Sequence, residues 1–463
     1  MKEPSRLLTT RLAPACLLLA ATALSPRGAH AEEAKPASES AGFSESAGFW
    51  ERGTLLGDPG GWRSRMEDAG ISLGVQEQSE VLGNATGGTR QGAVYEGATL
   101  MQLGIDLDRL VGLPGGKFNV SAYQIHGRGL SSNNLGGNLN AVSGIEAERG
   151  TRLFELWYEQ SLFNDALSIR VGQMAADSEF IVSDYGAVFL NAGFGWPTLA
   201  ATALPSGGPA YPYATPGVRV KWQASEEIAA LVGVYNGDPS PNSSGTSMRL
   251  NKGTFVIGEL QYALNQGGDA KGLPGTYKIG AWYNSNTFSD QYYGTGGLSL
   301  ANPDSNGDPR QRRNDWSLYA VADQMVWRVP GSKDEGLGVF AKLMGAPGDR
   351  NPVNFFANAG ATYKGVIPGR ADDTVGIAVA YAHIGDSATR YDTSKITYTG
   401  GLYPVRRSET VLELTYQAQI TPWWSVQPDF QYVFNPGGGV VDETTGKRVG
   451  DAAIFGLRTT VVF

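Results

Sequence analysis

The sequence predicts an all-β protein: a transmembrane antiparallel β-barrel of about sixteen strands, with one long loop folding inward. Three observations carry this expectation. Short segments of alternating apolar and polar residues recur from residue 71 onward, separated by clusters of Gly, Pro, Asn and Asp. Glycine is abundant, 63 of 463 residues, roughly twice the usual share of about 7%. Aromatics make up 10% of the chain, yet mean hydropathy is only −0.22. That balance suits a barrel apolar outside and polar inside.

The N-terminus reads as a targeting segment. Positive charge comes first, at Lys2, Arg6 and Arg11, followed by an apolar run from Leu12 to Leu24 and the small-x-small site Ala29-His30-Ala31. That order is the one secretory export requires, so residues 1–31 are expected to be a Sec-type signal peptide. The run falls short of the about 20 apolar residues that span a bilayer. The single cysteine, Cys16, lies inside this segment, and the Ala13-Pro14-Ala15 before it does not make a lipidation site. Beyond the segment there is no thiol for a disulfide or a metal. Residues 32–49 read as a polar linker with a short duplication, Ala41-Gly42-Phe43 and Ala47-Gly48-Phe49. Residues 50–463 are expected to form the barrel domain.

The alternating segments fall at 71–82, 95–107, 116–126, 151–162, 167–175, 216–223, 228–236, 253–263, 275–286, 314–328, 335–346, 353–366, 373–384, 409–420, 424–434 and 452–463. Their number is even, as single-chain bacterial barrels require. No amphipathic helix competes with them. The last segment alternates most clearly: Phe455, Leu457, Thr459, Val461 and Phe463 share one face, and Gly456, Arg458, Thr460 and Val462 the other. In 424–434, Phe430, Tyr432 and Phe434 oppose Gln427, Asp429 and Gln431, just after the aromatic pair Trp423-Trp424. Closure follows from physics: in lipid every backbone N–H and C=O must pair internally, so an open edge is not viable. Phe463 ending such a strand resembles the signature read by the barrel assembly machinery. Net charge is −8 and no basic tract is present, which argues against nucleic acid as a partner. The expected surroundings are outer-membrane lipid and lipopolysaccharide.

Charges opposite apolar side chains are the candidates for a lumen wall. Val218, Val220 and Trp222 oppose Arg219 and Lys221; Ile169 and Val171 oppose Arg170; Phe154, Leu156 and Tyr158 oppose Glu155, Trp157 and Glu159. With Asp429 and Arg458 they would line the lumen with both signs of charge, a wall suited to sugars. Residues 176–214 do not alternate and are too many for an ordinary connection. This stretch holds Asp177, Glu179, Asp184 and Trp196, and is the candidate for a loop that narrows a channel.

Four stretches, GQMAADSEFIVSDYGAVFLNAGFGWP (172–197), SAYQIHGRGLSSNNLGG (121–137), PGVRVKWQ (216–223) and VQPDFQYVFNPGGG (426–439), resemble the carbohydrate-selective, OprB-type porins. The resemblance runs from about residue 50 to Phe463. It implies a sixteen-stranded outer-membrane barrel of a Gram-negative bacterium, passing glucose and related sugars by facilitated diffusion without a cofactor. It also implies a constriction of arginine, acidic and aromatic side chains, onto which Arg170, Arg219 and the 172–197 loop map. The expected form is a monomer or a homotrimer. A general or anion-preferring porin is the second reading, which the residues barely separate from a sugar channel. A hydrolase is disfavoured, because His126 and His383 alone follow the signal segment and neither stands in a nucleophile motif. A plugged transporter, with about 22 strands, needs a plug domain ahead of the first strand, and the residues available are too few.

Overall fold

The computed structural model describes residues 48–463 apart from 240–243, 267–271, 402 and 443. The expected signal peptide, and all but the last two residues of the expected linker, lie outside the described residues. The described chain forms sixteen strands: β1 Ile71–Asn84, β2 Gly92–Asp106, β3 Gly116–Gly127, β4 Gly150–Leu162, β5 Leu167–Met174, β6 Thr215–Gln223, β7 Ile228–Asn236, β8 Thr254–Leu264, β9 Gly275–Gly294, β10 Pro309–Arg328, β11 Gly336–Gly345, β12 Val353–Lys364, β13 Thr374–Ile384, β14 Ser408–Thr421, β15 Trp424–Phe434 and β16 Ala452–Val462. Each pairs antiparallel with its sequence neighbours, and β1 pairs with β16, so the sheet closes into a barrel. Closure leaves no edge to satisfy in lipid. Turns such as 163–166 and 422–423 gather at one end and long loops at the other. In outer-membrane barrels the short turns face the periplasm and the long loops the outside.

Alternation sorts the two faces as the sequence predicts. On β6, Val218, Val220 and Trp222 are exposed outward while Arg219 is only 2% exposed inside. On β16, Phe455 and Leu457 face out and Arg458 is buried. On β15, Gln427, Asp429 and Gln431 are buried and Phe434 is exposed.

Three features depart from the expectation. Phe154 turns inward rather than to lipid: the β3–β4 register shifts between Val120 and Ala122, a bulge that puts Phe154 and Glu155 together opposite Ser121. The phenyl ring packs 5.0 Å from Tyr123 and 6.3 Å from Tyr211, between ring centroids. The β9–β10 hairpin runs well past 286 and 314, because its polar upper part, with Arg312 and Asp290 paired at 2.7 Å, still holds ladder bonds. A helix, Asp386–Thr399, fills the β13–β14 loop, although its Ser/Thr-rich sequence shows little helical periodicity. Gly400, in the left-handed region at φ 65°, ends it.

Residues ahead of β1 pack against the periplasmic end. Leu55 N–H donates to Val462 O at 2.7 Å, Arg63 Nη1 to Phe463 O at 3.1 Å, and Trp423 Nε1 to Phe49 O at 3.0 Å. The main apolar core lies inside the barrel: Phe180, Phe189, Leu190, Phe194 and Leu199 of the 175–214 loop are fully buried with the wall residues Phe340, Phe255 and Trp282. Burying each such side chain contributes about 1.5–3 kcal/mol. This burial is what draws the loop into the lumen.

Candidate functional site

The loop 175–214 crosses the lumen, held by inward side chains of many strands. Glu259 of β8 accepts from Ile181 N–H at 2.8 Å, and Lys278 of β9 donates to Val182 O at 2.7 Å. Asp323 of β10 accepts from Ser183 Oγ at 2.6 Å. Lys342 of β11 donates to Phe194 O at 2.6 Å and Gly195 O at 2.9 Å. Glu413 of β14 accepts from Leu190 and Asn191 N–H at 2.6 and 3.0 Å. A second loop, 128–149, also folds in: Glu409 accepts from Leu139 and Asn140 N–H, each at 2.7 Å. The two loops bond to each other, Gly144 N–H to Leu190 O at 2.8 Å and Ala192 N–H to Ala141 O at 3.0 Å. Together they form one body inside the barrel. Alternation alone does not single out these clamps; their signal is a single charge in an otherwise apolar alternation, as at Lys342 and Glu413.

Six of the candidate site residues come together where this loop leaves the wall. Arg170 and Arg219 stand side by side on β5 and β6, and Glu159 pairs with Arg170 across β4–β5. Glu159 Oε2 accepts from Arg170 Nε at 2.8 Å and Arg219 Nη2 at 2.5 Å. Glu179 Oε2, on the loop, accepts from Arg219 Nε at 2.7 Å and lies 3.7 Å from Arg170 Nη1. The Arg170 guanidinium stands 3.8 Å from the centre of the Trp157 ring. Trp157 Nε1 donates to Glu155 Oε2 at 3.2 Å, and Glu155 Oε1 accepts from Ala175 N–H at 2.9 Å. Burial pushes the Glu179 carboxyl up, but Arg170 and Arg219 together outweigh it and hold it below its ordinary value. The network therefore presents fixed charges of both signs beside an aromatic face.

The other candidates sit apart or play structural parts. Lys221, half-buried on β6, is close enough to help lower Glu179. Asp177 accepts from Tyr211 N–H at 2.8 Å, tying one end of the loop to the other, and burial pushes its carboxyl up to about 7. Trp196 is buried within the loop, its Nε1 donating to Gly207 O at 3.0 Å. Asp184 is exposed on the loop. Asp429 and Arg458 face inward on a different wall: Asp429 accepts from Gln431 Nε2 at 3.0 Å, and Arg458 pairs with Glu80. One further inward arginine is not marked by the alternation. Arg152 is buried at the start of β4, its guanidinium 5.0 Å from the Tyr213 ring centre and its Nη2 donating to Glu148 O at 3.0 Å. Its Nε and Nη1 find no acceptor among the described residues. The bulge below it breaks the alternation that would have marked it.

Among the described residues no helix is long and apolar enough to cross a membrane, and no His, Cys, Asp and Glu cluster could hold a metal ion. Comparison with known proteins agrees with the barrel. The family model for carbohydrate-selective porins, OprB family, matches residues 90–463. Porin B of Pseudomonas aeruginosa is 26% identical over 429 residues, 88% of this chain and 91% of that protein. The putative porin QuiX of Acinetobacter baylyi is 24% identical over 440 residues, 89% and 94% of the two chains. The high-pH structure of Pseudomonas putida OprB, 25% identical, matches with a TM-score of 0.82 over 90% of this chain and all of that one. The chain belongs to the OprB family of carbohydrate-selective porins, channel-forming β-barrels of the Gram-negative outer membrane.

Proposed function

We propose that this chain passes small sugars such as glucose across the outer membrane by facilitated diffusion, after Sec-type export and insertion by the barrel assembly machinery. The observation that carries the reading is the loop 175–214 seated inside the lumen, with Arg170, Trp157, Glu159, Arg219 and Glu179 gathered where it leaves the wall. A narrowed passage makes solutes shed water, and the wall must replace those hydrogen bonds. Guanidinium and carboxylate groups do this for hydroxyls in fixed directions. Both charge signs in one network favour a neutral polar solute over a plain ion. The second reading is a general or anion-preferring porin. Single-channel conductance in a planar bilayer, with glucose titrated in, separates the two. The sugar reading expects a saturable block of the ion current; an open current indifferent to glucose would leave the general porin.

A further inference from the structure

The outward face of β1–β3 carries a connected polar network centred on Glu77 and His126. Its inward neighbours Gln76, Gln78, Ala98, Leu100, Tyr123 and Ile125 are buried, so Glu77, Ser79, Thr99, Gln124 and His126 point out. Glu77 Oε1 accepts from Ser79 Oγ at 2.8 Å and lies 3.4 Å from His126 Nε2, and Glu77 Oε2 accepts from Thr99 Oγ1. The Tyr95 hydroxyl is 3.0 Å from His126 Nε2 and 3.1 Å from Ser79 Oγ, and His126 Nδ1 is 2.9 Å from Gln124 Oε1. Gly97 makes the arrangement possible. A Cβ there would stand 2.4 Å from His126 Nε2 and 2.9 Å from Glu77 Oε1, so the imidazole lies across β2 where any side chain would block it.

Register places this network within the membrane. The line through Glu77 starts at Trp424 on the periplasmic end of β15 and passes Val461. Beyond Glu77 it continues through Thr99 and Gln124 to Thr151 on the loop end of β4. Glu77 therefore lies between the two rims, where an outward carboxylate is unfavourable against hydrocarbon and marks a functional position. The polarity is also one-sided. Toward the periplasm the outward residues of the same strands are Leu73, Val75, Met101, Leu103, Val120 and Phe118. Toward the loops stand Tyr95 and His126 beside one apolar residue, Val81, with exposed Arg90, Arg128 and Arg149 at the strand ends beside the exposed Glu148.

We propose that this face binds a phosphorylated, hydroxyacylated glycolipid of the outer leaflet, of the lipid A type. Its phosphates meet the arginine-rich rim. The amide and hydroxyl groups of its upper acyl region meet Tyr95, His126, Gln124 and Glu77, and its lower hydrocarbon meets the apolar half. Simple phospholipid tails offer nothing to hydrogen-bond at this depth. A second copy paired about a two-fold axis through this face would set Glu77 against its own image.

The test uses the full chain, purified as a folded barrel in detergent, with native mass spectrometry of binding to added hexa-acylated lipid A and to phosphatidylglycerol. Wild type is expected to hold lipid A in preference. The double variant Glu77→Leu/His126→Leu should weaken that binding about tenfold, the scale of one or two hydrogen bonds, with phosphatidylglycerol unaffected. Gly97→Val, which displaces the imidazole without removing a polar group, and Tyr95→Phe should act in the same direction and decide the matter if the double variant does not fold. Equal lipid A binding by wild type and folded variants, or no preference over phosphatidylglycerol in wild type, overturns the proposal. So does a wild-type dimer that the variants dissociate, which would assign the face to a second copy.

Discussion

Arg219 and Arg170 share two carboxylates but sit in different surroundings, and the difference predicts different phenotypes. Arg219 is 2% exposed and bonds both Glu159 and Glu179. Arg219→Ala leaves buried carboxylates short of a counter-charge, a change that costs about 3–5 kcal/mol. It should unseat the loop, read as noisy conductance and new proteolytic cleavage within 175–214. Arg170 retains some exposure beside Trp157. Arg170→Ala should leave the loop in place and raise cation preference, read as a shifted reversal potential in a salt gradient; unchanged selectivity removes it from the ion path. Asp177 adds a pH dependence. Burial raises its carboxyl from 3.8 to about 7, so the protonated form favours the seated loop. Its contribution is complete below pH about 4 and fades as pH rises through about 7. Cleavage within the loop should therefore increase between pH 5 and 8 in wild type and lose that pH step in Asp177→Asn. At this scale the sequence was half legible. Alternation showed that Arg170, Arg219 and Glu159 face inward, but not that Glu179 would come back to meet them, because that meeting depends on how a long loop folds.

Elements were the most legible level, and two of the three exceptions share a cause. All sixteen strands appear where alternation and turn residues put them, since a lipid face and a wet face impose the period-2 pattern on every strand. The upper β9–β10 hairpin and the helix Asp386–Thr399 lie where that constraint lapses, at the rim or beyond it, whereas the bulge at Phe154 is an extra residue within the wall, opposite Ser121. The inward loop was visible as a stretch too long and too irregular for a connection, but its anchors were not, because each is one charge on a distant strand. Lys342 is the sharpest case, its ammonium capping Phe194 O and Gly195 O. Lys342→Met keeps the bulk and removes the donors, leaving two buried carbonyls unsatisfied at about 1–3 kcal/mol each. The loop should loosen while the barrel stays closed. Liposome swelling would then show faster entry of disaccharides than in wild type, with normal heat-modifiable migration. Disaccharide entry at the wild-type rate would mean that the other clamps hold the loop without it.

For the whole molecule, closure is the step on which everything else depends, and it joins the first strand to the last. β1 meets β16 along a seam from Gln76↔Val462 to Asn84↔Ile454, and Phe463 N–H extends it by donating to Val75 O at 2.9 Å. The Phe463 main chain also receives Arg63 Nη1, so the segment ahead of β1 is tied to the same point. Removing Phe463 takes away one seam bond and one acceptor, a small loss for a closed barrel whose every other strand pair is intact. On thermodynamic grounds, assembled protein should therefore denature at nearly the wild-type temperature. If Phe463 also serves as the signal read by the assembly machinery, the amount of barrel reaching the outer membrane should fall sharply while the stability of what arrives is unchanged. Quantifying heat-modifiable barrel in outer-membrane fractions, alongside the denaturation temperature of the purified variant, separates the two effects. Low yield with normal stability assigns Phe463 to assembly; normal yield removes that role, and low yield with low stability assigns it to the seam.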